Sequence, residues 1–342
     1  MGPSNAPSTV QARLEAGVDV LIVGGGVIGS SVAYFLSSSP EGRGLRIAVV
    51  ERDPTYRTAS TALSVGGVRQ QFSTPDNVRL SRFAVDFFRK AREHLAIRGQ
   101  TPDLGFREEG YLFLATEKGR DVLEENREVQ ARMGAPIELL EPDGLRARFP
   151  WLETRDLAAG ALGRKGEGWL DPHSLLQALK AKAREGGVAY LQEEVTAVSK
   201  SGSRVEGVEL AGGARLGAGW IVNAASPRAS AVAEMAGIRD LPVRPRKRHV
   251  FRFSSPLKLQ GCPLVVDPSG VYFRPEGPGY LSGVSPSPEN DPDTLDLAVD
   301  HDLFHRTIWP ILAARVPTFD TLRVESAWAG HYAFNTVDQN AI

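Results

Sequence analysis

Two short apolar runs, separated by a glycine-rich turn and a helical pattern, begin the regular part of the chain. Residues 19–23 form the first run, and residues 45–50 form the second, which ends on Glu51. Between them, apolar residues recur at helical spacing, as at Val32 and Leu36. A strand, a turn, a helix and a second strand over about 30 residues are typical of a βαβ unit. The pattern therefore predicts the start of a doubly wound nucleotide-binding fold.

Beyond this unit the chain alternates between two kinds of pattern. A strand-rich stretch over residues 188–223 leads into an apolar helix, and the chain is strand-rich again from Pro242. We predict an α/β protein in which a doubly wound nucleotide-binding domain is interleaved with a mixed-sheet α+β substrate domain. The predicted segments are a disordered leader over 1–17, the nucleotide-binding domain over 18–91 and 151–236, the substrate domain over 92–150 and 237–329, and the start of a return to the nucleotide-binding domain over 330–342.

Charge and cysteine content narrow the classes of partner. The chain has 40 basic and 41 acidic side chains, a formal charge of -1, so no overall field attracts it to nucleic acid or to an anionic membrane. No apolar run approaches the roughly 18 residues of a membrane-spanning helix, so at most a peripheral membrane contact is expected. The single cysteine, Cys262, excludes an internal disulfide and points to a reducing compartment.

Two charged clusters have both a functional and a structural interpretation. His301 and His305 are one helical turn apart, a spacing that can bind a metal, but no third ligand accompanies them. A solvated helix start capped by Asp300 is the favoured interpretation, and we predict no metal site. The basic residues within 244–252 follow a strand pattern that alternates between faces, which disfavours a nucleic-acid patch.

The glycine spacing after the first strand indicates the chemistry. Gly24, Gly26 and Gly29 match G-x-G-x-x-G, and Glu51 ends the next strand. In this motif the first glycine allows a tight turn, the second lets the backbone approach a diphosphate, and the third lets helix and strand pack closely. The helix start offers free N–H groups to the phosphates, and the acid accepts a bond from a ribose hydroxyl. The alternative is a glycine-rich turn that binds no ligand.

The motif alone does not distinguish NAD from FAD, because both contain ADP. Hydroxyl-bearing and glycine residues between Thr58 and Gly67 offer further donors shortly after the ribose acid. A longer cofactor would need its diphosphate and ring bound there, so this segment favours FAD. A flexible loop without cofactor contacts is the alternative.

Four segments of the chain resemble a known family. Residues 20–29, 51–53, 59–61 and 64–69 resemble the D-amino-acid oxidase and sarcosine oxidase group of flavoproteins. The resemblance covers nearly the whole chain and implies that the nucleotide-binding domain is a Rossmann-like FAD-binding domain. The cofactor-binding residues that it implies are Gly24, Gly26, Val27, Ile28, Gly29, Glu51, Arg52, Ser60, Thr61, Arg69, Val195, Ala224 and Ala225.

The chain also departs from the group near the cofactor. Relatives that attach flavin covalently use a histidine or a cysteine at positions held here by Leu63-Ser64 and Gly330-His331. The resemblance therefore implies noncovalent FAD. Ser226 stands where the group usually has glycine, which narrows a close backbone approach to the cofactor.

The predicted substrate side is less well marked. Tyr272 and Arg274 resemble the wall above the flavin in sarcosine oxidases, and they are the predicted catalytic residues; a core tyrosine beside a surface arginine is the alternative. Tyr332 replaces an arginine that holds the substrate carboxylate in amino-acid oxidases of the group. Leu281 replaces a lysine that activates oxygen, so the resemblance implies a dehydrogenase of secondary amines in preference to an oxidase.

The resemblance also implies a role. It implies hydride transfer from the carbon next to an unprotonated amine nitrogen. Over residues 63–72, 166–172, 242–250 and 326–340, the chain looks like a vertebrate member that is a mitochondrial factor needed to assemble respiratory complex I. This implies a mitochondrial location, in the matrix or at the inner membrane, and complex I subunits or assembly intermediates as partners. Because group members continue further, the chain looks truncated. The alternatives are a non-catalytic, flavin-bound scaffold and a truncated inactive product.

Overall fold

The computed structural model describes residues 17–337. Its strands, numbered along the chain, are β1 (Val18–Val23), β2 (Ile47–Glu51), β3 (Gly67–Val68), β4 (Tyr111–Ala115), β5 (Ile137–Leu140), β6 (Ala159–Gly163), β7 (Gly168–Trp169), β8 (Ala189–Gln192), β9 (Val195–Ser201), β10 (Arg204–Leu210), β11 (Arg215–Asn223), β12 (Val243–Ser254), β13 (Leu264–Val266), β14 (Tyr272–Glu276), β15 (Gly279–Gly283) and β16 (Arg323–Asn335). Its α-helices are α1 (Val27–Ser38), α2 (Pro75–Arg89), α3 (Ala91–His94), α4 (Glu117–Arg132), α5 (Pro142–Arg148), α6 (Pro172–Glu185), α7 (Ala229–Met235) and α8 (Trp309–Arg315).

The first sheet contains the predicted βαβ unit. Its strand order is β8-β2-β1-β11-β10-β9, with β8, β2, β1 and β11 parallel. Val20 of β1 pairs with Ile47 on one side and Trp220 on the other. Both faces of β1 and β2 are buried, as parallel strands covered by helices require. Helices α1 and α6 pack against each other and share one core with this sheet. The predicted doubly wound nucleotide fold is confirmed.

The second sheet is mixed and has the strand order β16-β12-β15-β14-β13-β4-β6-β5. Neighbouring strands are antiparallel except β13 and β4, which run parallel. Its core is aromatic, because Phe251, Phe253 and Phe273 from the sheet meet Phe304 and Phe319 from the helical segment that follows. This layer is the mixed-sheet second unit that the sequence predicts.

Two segments lie in a different sheet from the one predicted. Strand β6, within the segment predicted to belong to the nucleotide-binding domain, pairs with β4 and β5 of the second sheet. Residues 330–335 continue β16 along β12 and do not return to the first sheet. The cause is compositional, since β6 is the alanine- and glycine-rich sequence AGALG, which has almost no strand signal of its own. The rest of the predicted leader and end segments, residues 1–16 and 338–342, lies outside the described residues.

The basic strand β12 is neutralised within the fold. Arg248 forms a two-bond ion pair with Asp291, at 2.7 and 2.8 Å, and Lys247 Nζ lies 2.8 Å from an oxygen of Asp296. Arg246 Nη1 lies 3.2 Å from Asp293. These cations therefore face an acidic segment of the same chain, whereas a nucleic-acid patch would need cations free to meet phosphates.

Neither a membrane span nor a metal cluster occurs in the described part of the chain. Within residues 17–337, no helix has the length and hydropathy to cross a bilayer. The same residues contain no group of three or more His, Cys, Asp or Glu side chains arranged to hold a metal. Asp300, beside His301 and His305, accepts hydrogen bonds from the backbone N–H groups of Asp302 and Leu303, as the predicted cap requires.

Candidate cofactor site

Glycines shape the turn that joins β1 to α1. Gly24 has a φ of +100°, and a Cβ there would overlap the carbonyl oxygen of Ala224 and lie 2.9 Å from its carbon. A Cβ on Gly29 would overlap the carbonyl oxygen of Gly24, so only glycine lets α1 pack directly on the turn. Gly26 precedes α1 without a side-chain cap. The first turn of α1 therefore offers N–H groups for a ligand.

The loop after β2 brings hydroxyl groups to the start of α1. Thr61 Oγ1 accepts a hydrogen bond from the backbone N–H of Val27 at 3.0 Å. Ser60 Oγ lies 3.2 Å from Ser226 Oγ, on the opposite side of the turn. An anion such as a diphosphate would meet the partial positive charge of the helix together with these hydroxyl groups.

The carboxylate of Glu51 is held in place by backbone N–H groups, one of which belongs to the glycine turn. Its Oε2 accepts a hydrogen bond from the backbone N–H of Gly25 at 2.8 Å, and its Oε1 accepts one from Asp53 at 2.9 Å. Both bonds involve an ionised acceptor and are therefore of the stronger class. They orient the carboxylate beside the glycine turn, with lone pairs left for a ribose hydroxyl.

A cavity of about 570 Å³ opens beside the turn, within the usual range for ligand sites. The predicted cofactor-binding residues that line it are Gly24, Gly26, Val27, Ile28, Glu51, Arg52, Ser60, Thr61, Val195, Ala224 and Ala225. Gly29 lies behind the turn, in the packing role described above. The glycine cradle, the free helix start and the acid thus face one cavity, and this donor set fits a dinucleotide.

The far wall of the cavity contains residues that are not among the predicted cofactor-binding residues. Residues 295–297, from the irregular segment after β15, and His331 of β16 line it together with Arg228. Burial lowers the pKa of the His331 imidazole, and the positive charges of Arg228 and Arg52 act in the same direction. His331 stands at a position of covalent flavin attachment in relatives, whereas no motif marks residues 295–297 or Arg228, which are brought to the cavity by the packing of distant segments.

Ser226, which stands where the group usually has glycine, has a positive φ. Its φ is +52°, in the left-handed region that costs an L-residue roughly 1 kcal/mol. We expect the free energy of unfolding of Ser226→Gly to exceed that of Ser226→Ala by about 1 kcal/mol, because both variants lose the bond to Ser60 and only glycine relieves the strain, and we expect the glycine variant to bind FAD more tightly. Chemical denaturation and flavin titration measure the two effects. Ser226→Ala loses the same bond but keeps the strain, so equal results for the two variants would contradict this explanation.

Arg274 does not face the cavity. Its Nε and Nη2 donate to the carbonyl oxygen of Val65 at 3.1 and 2.8 Å, and its Nη1 donates to Pro275 at 2.8 Å and pairs with Glu276. The side chain is 4% exposed, so these contacts occupy the guanidinium within the protein. In the structure the side chain holds the loop at Val65, and its catalytic role stays a prediction. The strand pattern could not reveal this contact, which spans 209 residues.

Tyr272 and Arg69 also lie outside the cavity lining. Burial raises the pKa of the Tyr272 phenol, so the side chain is a neutral group beside the second sheet. Arg69 lies over the rings of Phe72 and Phe113, at 4.6 and 5.5 Å from their centroids. The roles of Tyr272 at the substrate and Arg69 at the flavin stay predictions.

Glu167 is a buried acid near this loop that the sequence did not single out. It accepts hydrogen bonds from the backbone N–H groups of Gln70 and Gln71 and from the Gln71 side chain. Burial raises its pKa to about 7, and the hydrogen bonds act against that shift. Its contacts join residues 70–71, which follow β3, to the residue just before β7, the strand that pairs with β3. The only signal was its place in a segment of family resemblance.

Comparisons with known proteins agree with this geometry. The DAO family, described as FAD dependent oxidoreductase, matches residues 19–342. FAD-dependent oxidoreductase domain-containing protein 1 of Bos taurus is 44% identical over 363 residues, covering 95% of this chain and 74% of that protein. Mitochondrial dimethylglycine dehydrogenase of Homo sapiens is 28% identical over 298 residues, covering 84% of this chain and 33% of that protein.

A solved structure shows the same fold. L-proline dehydrogenase from P. horikoshii superposes with a TM-score of 0.82 at 26% identity, covering 95% of this chain and 84% of that chain. The family match, the relatives and the glycine cradle beside Glu51 lead to one assignment. The chain belongs to the DAO family of FAD dependent oxidoreductases, and its cofactor is FAD.

Proposed function

We propose that this oxidoreductase oxidises a carbon–nitrogen bond of a small amine and that its biological role lies in the assembly of mitochondrial complex I. The observation that carries the enzymatic part is the cavity in which the glycine turn, the start of α1 and Glu51 meet. Two proteins similar to this chain, dimethylglycine dehydrogenase and L-proline dehydrogenase, are named for oxidation of amine substrates.

FAD, when bound, would supply the acceptor for one hydride, which carries two electrons. The amine carbon would lose a hydride and become an iminium, so the residues must admit an unprotonated amine. The chain's own residues bind and orient: the turn at Gly24 and the helix start receive the diphosphate, and Glu51 receives the ribose. Arg274 holds Val65, and therefore the loop between Ser60 and β3, against the second sheet.

The uncharged, aliphatic side chain of Leu281 supports a dehydrogenase in preference to an oxidase. It is 3% exposed and lies in β15, between β12 and β14. An aliphatic side chain there supplies no cation to stabilise the negative charge that develops on oxygen. Electrons would then pass to an acceptor other than oxygen.

The test of the enzymatic part is anaerobic reduction of the bound flavin. We expect sarcosine, dimethylglycine or proline to bleach the visible flavin absorbance, and we expect slow recovery when oxygen is admitted. Glutamate and acetate serve as control additions, because neither is a secondary or tertiary amine. If the protein holds FAD but no amine of a broad panel reduces it, the non-catalytic scaffold is favoured. A folded protein that cannot take up FAD would indicate the inactive product.

The role in complex I is proposed from the family resemblance of four segments, and it needs its own experiment. We expect the protein, expressed in cells that lack the corresponding endogenous protein, to fractionate with mitochondria and to restore the amount of assembled complex I on native gels. A variant that cannot bind FAD is the control. A normal amount of assembled complex I in cells that lack the protein would contradict the proposed role. Absence of the protein from the mitochondrial fraction would contradict the proposed location.

A further inference from the structure

Lys180 is a buried cation directly behind the cofactor cavity. It lies on α6 and is 8% exposed. Its Nζ lies 4.7 Å from the ring centroid of Tyr56 and 5.5 Å from that of Tyr190, so two aromatic faces hold it. Across the described range, 17–337, no carboxylate lies within 4.0 Å of this ammonium group. A buried charge without a contact partner is costly, and a structure keeps it only with compensation.

Tyr56 connects this cation to the turn that receives the cofactor. Its backbone has a φ of +57°, a strained conformation for an aromatic residue, and its side chain is 1% exposed. A Cβ on Gly25 would lie 3.1 Å from the Tyr56 hydroxyl oxygen and 3.1 Å from Cβ of Glu51. The phenol therefore lies between the Lys180 ammonium group on one side and the glycine turn with Glu51 on the other.

The hydroxyl of Tyr56 has no hydrogen-bond partner in the described part of the chain, although it is buried. A phenol retained for packing alone would be replaced at low cost by phenylalanine. The ring that supports Lys180 is thus held in place despite backbone strain and an unpaired hydroxyl. Such a combination is typical of functional positions.

The charges around Lys180 indicate its electrostatic effect on the cofactor site. The Glu51 carboxylate attracts the ammonium group, whereas Arg184 of the same helix repels it. FAD brings a diphosphate, with two negative charges, to the turn where the Glu51 carboxylate already lies. A buried positive charge behind that turn reduces the repulsion, and low polarisability of the surroundings strengthens the effect.

We propose that Lys180 is a positioning residue for the cofactor site, which acts through the ring of Tyr56 to offset the Glu51 carboxylate where the FAD diphosphate binds. The inference concerns FAD binding and does not depend on amine oxidation. Lys180 touches neither the cavity nor the reacting atoms.

The first test compares two lysines of the same helix. We expect Lys180→Met to weaken FAD binding about tenfold in a flavin fluorescence titration of the apoprotein. Lys182→Met is the matched control: it removes the same charge two residues away, where Nζ bonds to the carbonyl oxygen of Ala96 and to Glu185. Lys180→Arg should recover most of the affinity. Equal losses for the two methionine variants would overturn the proposal.

Ligand charge separates an electrostatic role from packing. The affinities of ADP and adenosine are measured by competition with FAD. The Lys180→Met substitution should lower the affinity for ADP about as much as the affinity for FAD. It should change the affinity for adenosine much less, because adenosine lacks the diphosphate. Equal weakening of ADP and adenosine would show that Lys180 supports the site through packing, and the proposal would then be wrong.

A pH profile supplies a readout that needs no variant to fold. Burial, followed by the charge of Arg184, lowers the pKa of Lys180 below its ordinary value. The FAD affinity of the unaltered protein should therefore fall as the pH rises, and this fall should begin below the ordinary lysine pKa of about 10.4. Burial raises the pKa values of Tyr56 and Tyr190, so both phenols stay neutral.

The Lys180→Met variant should lack this fall, and any titration of FAD itself is common to both proteins. A flat profile in the unaltered protein, or the same fall in the variant, would contradict the proposal. Circular dichroism across the same range checks that both proteins remain folded.

Discussion

Gly24→Ala is expected to abolish measurable FAD binding, with an affinity loss of about 100-fold or more. A methyl group there would overlap the carbonyl oxygen of Ala224, and the backbone would keep a φ of +100° that alanine disfavours. The turn would have to move away from β11, and the N–H groups of α1 would move with it. Flavin fluorescence titration of the apoprotein measures the loss, and circular dichroism checks the fold.

Gly44→Ala is the matched control for this variant. Gly44 also has a positive φ, +83°, but a Cβ there would have no neighbour within 4 Å. It should lower the free energy of unfolding by about 1 kcal/mol and leave FAD affinity unchanged. If Gly24→Ala retained normal affinity, or if Gly44→Ala lost it, the collision with Ala224 would not be the reason for glycine in the turn.

Arg315→Met is expected to lower the free energy of unfolding by about 3–5 kcal/mol. Arg315 lies in α8 and is 7% exposed; its Nε donates to buried Asp267 at 2.7 Å, and its Nη atoms donate to Asp156 at 2.8 and 2.9 Å. Its Nη1 also donates to the carbonyl oxygen of Glu153. Methionine fills similar space but leaves the Asp267 carboxylate buried without its cation. Urea denaturation measures the change.

Two further variants test this reasoning. Adding Asp267→Asn to Arg315→Met should recover part of the loss, because no uncompensated charge then remains buried. Arg120→Met, which removes an exposed pair with Glu141, should have a much smaller effect. If Arg315→Met alone were as stable as the unaltered protein, the cluster of Arg315, Asp156 and Asp267 would not be required for stability.

The same cluster has a defined pH dependence. The hydrogen bonds from Arg315 hold the pKa of the Asp156 carboxyl below its ordinary value, against the effect of burial. A carboxyl with a lowered folded-state pKa contributes stability above its unfolded-state value, about 4, and loses that contribution as the pH falls. The stability difference between the unaltered protein and Arg315→Met should therefore narrow on acidification.

The β1–α1–β2 unit could be predicted closely because its information is local. The close approach at Gly24 is to Ala224, far along the chain, but Gly24, Gly26 and Gly29 themselves stand in one short motif, and the acid at the end of β2 lies one helix away. Their physical roles, tight turning and close packing, admit few other residue types. The eleven predicted residues that meet at the cavity all belong to this unit, to the loop after it or to the neighbouring ends of β9 and β11.

The second sheet was predicted only as a class, since its strands have no comparable local signature. Strand β6 was assigned to the wrong layer because alanine and glycine pack in either sheet, and contact with β4 and β5 decides the matter. The resemblance places Arg274 on the wall above the flavin, but it does not indicate the hydrogen bonds to Val65. Val65 is distant from Arg274 in the chain, so the contact could not be inferred.

The primary structure alone identifies the residues of a dinucleotide turn, because the glycine spacing, the helix start and the acid after the second strand form a local pattern. Which other groups surround the turn is decided by tertiary packing. It sets Lys180 on the ring of Tyr56, brings His331 to the far wall of the cavity and encloses Arg315 between two aspartates. Electrostatic and packing energies depend on distances between side chains that are far apart in sequence, and only the folded chain sets those distances.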